Sequence, residues 1–321
     1  MGEPRIALAG AGYWGKNLVR NFHALGVLAT VCETDLNRHA DLAKLAPGTK
    51  MTGSWKEVLS DASINAVAIS TPAEMHAAMV KEALEAGKDV YVEKPLCLSA
   101  KEGGTLVKLA KDKNRILMVG HILWYHPAVL KLKSLIDAGE LGKIQYIYSN
   151  RLSLGKIRRE ENILWSFAPH DISVILGLLG EMPDGIQMQG GNYLHKNIAD
   201  VTVSLLSFPG GTKAHIFVSW LHPFKEQKLV VVGEKCMAVF NDTEPKDKLV
   251  LFPHGVEIGE SVTTVRKAEG KPVELEQGEP LRAECAHFIE CVKTRQKPRT
   301  DGEEGLRVLK VLQQCQEALG A

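Results

Sequence analysis

Residues 5–15 read RIALAGAGYWG: an apolar run, Arg5–Ala9, leads straight into Gly10, Gly12 and Gly15. The spacing is G-x-G-x-x-G, and helical periodicity follows at Lys16–Leu25. In a dinucleotide-binding turn the first glycine makes the bend, the second lets backbone approach a pyrophosphate, and the third permits close helix packing. The helix start supplies free N–H donors and the positive end of its dipole. Tyr13 and Trp14, inside the turn, join the three glycines as cofactor candidates. The plainer reading is that these glycines only shape a turn. Glu33 argues against it, because it ends the next apolar run, Leu28–Cys32, 21 residues after Gly12. That separation suits a ribose-binding carboxylate. Asp35 is the alternative ribose contact. The charge of Glu33 would repel a 2′-phosphate, which favours NAD, while the nearby Arg38 keeps NADP open.

Working outward, short apolar runs alternate with helical patterns. The runs are Ala66–Ser70, Val90–Val92 and Ile116–Val119; the helical segments include Ala73–Ala86 and Ala100–Lys111. Such alternation predicts βαβ units and a parallel sheet. Gly120 and His121 close the last strand. After a helical stretch at Pro127–Ala138 the style changes. Ile144–Tyr148, Val201–Phe208, Lys213–Trp220, Lys228–Val232 and Lys248–Phe252 read as strands separated by Gly, Pro and Asp turns. One helix interrupts them, His170–Leu179. Leu281–Lys293 and Gly302–Leu319 are helical again. The expected fold class is α/β: an N-terminal Rossmann dinucleotide-binding domain over 1–121, then an α+β domain over 122–321 with a large, mainly antiparallel open sheet. The C-terminal helices are free to pack back on the first domain.

The bulk numbers narrow the function classes. A chain of 321 residues suggests about two domains. With 39 basic and 38 acidic residues the net charge is +1, which lacks the basic excess of a nucleic-acid binder. The six cysteines form no C-x-x-C pair, so a zinc ribbon or redox dithiol is not expected, and their scatter suits a reducing compartment. No apolar stretch approaches about 18 residues, and no room for a signal peptide precedes the first strand, so a cytoplasmic location is expected. No clustered His, Cys or Asp ligand set points to a metal.

A second motif, Glu93-Lys94-Pro95, follows the strand Val90–Val92 and so falls at the carboxyl edge of the sheet, where ligands of open α/β sheets bind. A lysine there can stabilise a developing alkoxide; the plainer reading is a surface lysine beside a helix-starting proline. The wider pattern decides. Ser70-Thr71-Pro72 with His76, then Ala86-Gly87-Lys88, then Val92-Glu93-Lys94-Pro95, resembles the glucose–fructose oxidoreductase / inositol dehydrogenase family along essentially the whole chain. The resemblance implies an NAD-dependent oxidoreductase with a Rossmann domain and a C-terminal domain whose open sheet carries the substrate pocket and commonly an oligomer interface, here a homodimer or homotetramer. It implies that Ser70, Thr71, Pro72 and His76 lie near the cofactor, that Glu93 helps hold the nicotinamide side, and that Lys94 is the active-site lysine. It leaves the Lys94–Pro95 bond open between cis and trans.

The same resemblance makes His170, in Trp165-Ser-Phe-Ala-Pro-His170-Asp171, the catalytic histidine. Family members usually carry an Asp four residues earlier, where this chain has Ser166. Either Lys94 and His170 suffice, or Asp171 orients them; neighbours on a helix face different ways, which favours the first. The implied chemistry is oxidation of a sugar carbinol, with His170 accepting the hydroxyl proton and Lys94 bonding the same oxygen; which of the two is the base stays open. Arg151, Lys156, Arg158 and Arg159 concentrate positive charge in a neutral protein, and arginines suit a diphosphate. A solvated charged loop is the plainer reading. The stretch from Tyr148 to Gly180 most resembles the subgroup acting on nucleotide-linked amino sugars. That implies oxidation of the 3-hydroxyl of a UDP-linked amino sugar, UDP-N-acetylglucosamine or its glucosaminuronate, with Lys94, Arg151, Arg158, Ser166 and His170 at the substrate. It also implies a downstream aminotransferase and a product destined for lipid A or surface polysaccharide. A free polyol or monosaccharide dehydrogenase and a non-enzymatic NAD-binding regulator are the alternatives.

Overall fold

The computed structural model describes residues 3–155, 157–258 and 262–320. The chain divides into two compact units, 1–125 with 278–310, and 126–277 with 311–321.

The first unit alternates strands and helices: β1 (Ile6–Ala9), α1 (Gly15–Ala24), β2 (Leu28–Cys32), α2 (His39–Leu45), β3 (Lys50–Thr52), α3 (Trp55–Ser60), β4 (Ala66–Ile69), α4 (Ala73–Glu85), β5 (Asp89–Glu93), α5 (Ala100–Asp112) and β6 (Leu117–Gly120). All strand pairs are parallel, in the order β3-β2-β1-β4-β5-β6. Every residue of β1, β4, β5 and β6 is buried, as a parallel sheet covered on both faces requires. The order reverses between β1 and β4, which opens the ligand crevice of this fold at their carboxyl ends. β3 was not among the expected strands; three residues with one buried show no readable period. Phe22 of α1 and Tyr91 of β5 pack edge-to-face with Phe288, far along the chain, with centroids 5.9 to 6.4 Å apart. Each such pair adds about 0.5–1.5 kcal/mol beyond its area burial.

The second unit comprises α6 (Pro127–Asp137), β7 (Ile144–Leu152), α7 (Ile163–Leu179), β8 (Gly185–Gly191), β9 (Val201–Ser207), β10 (Lys213–Ser219), β11 (Glu226–Gly233), β12 (Met237–Asn241), β13 (Leu249–Phe252), β14 (Gly255–Ile258), β15 (Thr263–Arg266) and β16 (Lys271–Pro272). Two C-terminal helices follow, α8 (Pro280–Thr294) and α9 (Gly302–Leu319); α8 packs on α1 in the first unit. The large sheet runs β16-β13-β12-β11-β7-β10-β9-β8, antiparallel throughout except for the parallel pair β7–β10. β14 and β15 form a separate hairpin.

Two boundaries differ from the expectation, each for a physical reason. β7 runs on to Leu152, so Ser149, Asn150 and Arg151 are strand residues, held between β10 and β11 by pairing on both edges. α7 begins at Ile163, and Pro169 lies inside it. A proline mid-pattern reads as a helix start; here the true start is capped by Asn162, whose side chain accepts from the Trp165 N–H (3.2 Å). His170 therefore sits in mid-helix rather than at its head.

Candidate functional site

The glycine turn leaves no space for side chains. Gly10 has φ +84°, and a Cβ there would lie 2.7 Å from the Ser70 carbonyl oxygen; a Cβ on Gly15 would lie 2.1 Å from the Gly10 oxygen. β1 and β4 are thus drawn together where the sheet order reverses. α1 has no side-chain cap and no acidic residue in its first turn, so the positive end of its dipole is not neutralised there, while Lys16 and Asn17 donate their N–H groups to the Gly12 (3.2 Å) and Trp14 (2.8 Å) carbonyls. An open groove beside them is lined by Gly12, Tyr13, Lys16, Asn17 and Arg38. Two cations and the positive end of the α1 dipole suit a pyrophosphate, so the residues present fit NAD.

Glu33 is buried and braces this turn. Its Oε2 accepts from the Ala11 N–H (2.9 Å) and its Oε1 from the Asp35 N–H (3.0 Å). Asp35 accepts from the Asn37 N–H (3.2 Å) and pairs with Arg38 (3.0 Å). Arg38 also lies 3.8 Å from Glu33. Arg38 and Lys16 were not among the proposed cofactor residues; only the fold brings them over Gly12.

The two motif loops are tied together. His76, buried on α4, lies with Nδ1 2.7 Å from the Pro95 carbonyl and Nε2 2.9 Å from the Thr71 carbonyl. Burial pulls its pKa down. Ser70 bonds back to β1 through its N–H to the Ala9 carbonyl (2.8 Å), and Thr71 Oγ1 donates to the Met79 sulfur (3.5 Å). The Lys94–Pro95 bond is cis. Lys94 is half-buried, just past the carboxyl end of β5. Glu93, at that end, is buried: the Trp14 indole N–H donates to its Oε1 (2.6 Å) and the Lys94 N–H to its Oε2 (3.3 Å). Trp14 thus fastens the dinucleotide turn to the strand that carries Lys94. The first unit gathers the proposed residues from Gly10 to Lys94 at neighbouring strand ends.

In the second unit, Ser166 and His170 stand one turn apart on α7, Ser166 buried and His170 half-buried. Asp171 turns to the sheet, where Ser149 Oγ donates to it (2.6 Å) and Arg151 donates through Nε (2.8 Å) and Nη2 (3.1 Å). The expectation that Arg151 serves a diphosphate meets a bidentate partner already within its own unit, since β7 continues through Arg151 beneath α7. Arg158 pairs with Glu161 (3.1 Å), Arg159 is exposed, and Lys156 lies outside the described residues. Among the described residues no helix is long and apolar enough to cross a membrane.

Comparison with known proteins agrees with this geometry. Residues 4–121 match the model of the oxidoreductase family with an NAD-binding Rossmann fold, and residues 129–239 match the GFO/IDH/MocA C-terminal domain. The chain is 26% identical to UDP-N-acetylglucosamine 3-dehydrogenase of Acidithiobacillus ferrooxidans, over 99% of this chain and 97% of that one. A solved structure of that enzyme superposes with a TM-score of 0.87 at 25% identity, covering 99% of this chain and 98% of the other. The NAD-dependent scyllo-inositol 2-dehydrogenase of Bacillus subtilis is 27% identical over 92% of this chain and 88% of its own. An uncharacterised oxidoreductase of Streptococcus pneumoniae is 29% identical over 60% of this chain, a match that spans 54% of that relative. The chain belongs to the GFO/IDH/MocA family of NAD-binding oxidoreductases.

Proposed function

We propose that this protein oxidises the 3-hydroxyl of a UDP-linked amino sugar, UDP-N-acetylglucosamine before its glucosaminuronate, using NAD. The observation that carries the reading is the Trp14–Glu93 bond, which joins the dinucleotide turn to the strand end bearing Lys94. The nicotinamide, when bound, supplies the hydride acceptor. Lys94 donates a hydrogen bond to the reacting hydroxyl and stabilises the oxygen as charge develops on it. His170 accepts the proton, the general-base role that a histidine fills most often. Arg158 and Arg159 are the arginines of the basic stretch that we assign to the diphosphate. Full-length similarity to UDP-N-acetylglucosamine 3-dehydrogenase supports the substrate class. In this reading the protein works in the cytoplasm, and its keto product feeds an aminotransferase on the way to lipid A or another surface polysaccharide.

A homodimer or homotetramer belongs to the same reading. β9 turns Thr202 and Ser204 to the buried side, while Val203 (37% exposed) and Leu205 (48% exposed) point away from it. Apolar residues on the open face support a second copy as its cover.

One observation favours a free polyol instead: Arg151 is bound by Asp171, which reduces the positive charge left for a diphosphate. Incubation with NAD and, separately, UDP-N-acetylglucosamine, its glucosaminuronate and inositols, followed by NADH absorbance with a trap for the ketone, decides between them. Reduction with inositols alone would replace the nucleotide-sugar reading. Lys94→Met and His170→Ala are each expected to lower turnover by about 10²–10⁴-fold; near wild-type rates in both would sink the catalytic assignment.

A further inference from the structure

Helix α8 carries Glu284 into the interior of the first unit, where it is fully buried. Its Oε2 lies 3.1 Å from the Tyr91 hydroxyl oxygen, and its Oε1 has no hydrogen-bond partner among the described residues. The same hydroxyl lies 2.9 Å from Glu93 Oε1. A tyrosine has one hydroxyl proton, so it donates to one of these two carboxyl groups only.

The other donors show which one. Glu93 already accepts from the Trp14 indole and the Lys94 backbone N–H, so both its oxygens act as acceptors. That is the environment of an ionised carboxylate, and Tyr91 completes it. A lone pair of Tyr91 then faces Glu284 Oε2, and two oxygens at 3.1 Å need a proton between them. Only Glu284 supplies it. A neutral acid also accounts for the bare Oε1, since an unpaired carbonyl oxygen costs far less in an apolar interior than an unpaired carboxylate oxygen. Phe22 and Phe288 wall Tyr91 off from water. Gly120 keeps the space open: a Cβ there would lie 2.6 Å from the Tyr91 hydroxyl and 3.0 Å from Glu93 Oε2. Burial pushes both carboxyl groups up, and Glu284 is pushed further by the charge on Glu93.

We propose that Glu284, Tyr91 and Glu93 form a buried proton-sharing relay in which Glu284 is a neutral positioning acid. Glu284 donates to Tyr91, Tyr91 donates to Glu93, and Glu93 stands as the single negative charge beneath Trp14 and the Lys94 backbone. The other ionisable groups around the relay are Lys94 beside Glu93, Cys285 on α8, Glu279 at the start of α8, and Glu304 on α9, which is 2.6 Å from His121 Nδ1. The functional consequence rests on the reading that Glu93 borders the nicotinamide. One fixed negative charge there favours the positively charged oxidised ring over the neutral reduced one.

Three measurements test the relay. Infrared difference spectra at neutral pH between wild type and Glu284→Gln should show an unionised carboxyl C=O band present only in the wild type; its absence would overturn the assignment. The second is stability against pH. An acid whose folded pKa lies above its unfolded value of about 4.3 makes the protein less stable as pH rises through that window. Glu284→Gln, whose amide N–H replaces the acid O–H, should therefore gain in Tm relative to wild type from about pH 5 to about pH 8. A relative loss over that range would mean an ionised Glu284 and would overturn the relay. The third is the ratio of NAD⁺ to NADH affinity by titration of intrinsic fluorescence. Tyr91→Phe and Glu284→Ala should lower the oxidised-form preference by about tenfold, while Glu284→Gln restores it to within about threefold. An equal loss of both forms in all three variants would reduce the triad to packing. The first two measurements need no turnover, so they stand or fall apart from the hydride-transfer reading.

Discussion

The two sheets of this protein solve opposite problems. Four strands of the six-stranded sheet, β1, β4, β5 and β6, are buried on both faces, and the sheet's information lies at one edge, where β1, β4 and β5 end. The eight-stranded sheet has α7 against β7, β9 and β10, while its other face leaves Val203 and Leu205 half in water. In the first, the glycine turn rests on close backbone approach, so glycines matter most. In the second, side chains stand on strands, so strand length sets which way a residue faces, as it does for Arg151.

The largest effect that would break this contrast is expected at the turn. Gly10→Ala places a Cβ against the Ser70 carbonyl at a positive φ. We expect NADH affinity, by fluorescence titration, to fall by about tenfold or more. An unchanged affinity would show that the close approach of β1 and β4 is not what binds the cofactor. In the second sheet, Asp171→Ala leaves Arg151, whose side chain is 11% exposed, without its bidentate partner. Loss of one member of a buried ion pair costs about 3–5 kcal/mol, read by urea unfolding. A loss below about 1 kcal/mol would mean that Arg151 has another partner and is available to a substrate. Leu205→Lys sharpens the contrast on the open face. It should lower the molecular mass seen by light scattering while changing monomer stability by about 0.5 kcal/mol or less; an unchanged mass would move the interface elsewhere. The smallest effect belongs to the exposed Lys108–Asp112 pair on α5, where Lys108→Ala should cost about 0.3–0.5 kcal/mol.

Much of the first unit is legible in its sequence because each cue is local. Gly10, Gly12 and Gly15 sit within six residues, Glu33 ends the next strand, and Lys94 follows β5 directly. The second unit is harder to read. Pro169 suggested a helix beginning where the structure has the middle of one, because Asn162 caps a start that no periodicity marks. The polar residues of β7 looked like loop because their strand character comes from neighbours on both edges, far away in the chain.

The sequence alone determined the dinucleotide fold, its glycine turn, the acid Glu33 just past β2 and the lysine at the strand end, since each depends on spacing within a few residues. Only the tertiary structure decided what those residues touch. Glu33 braces the turn it was expected to accompany, Arg151 faces Asp171, and Glu93 meets Glu284, 191 positions further along the chain, through Tyr91. The reason is physical. Backbone conformation is set by neighbours in sequence, whereas the charge and hydrogen bonding of a buried side chain are set by whatever the fold packs against it.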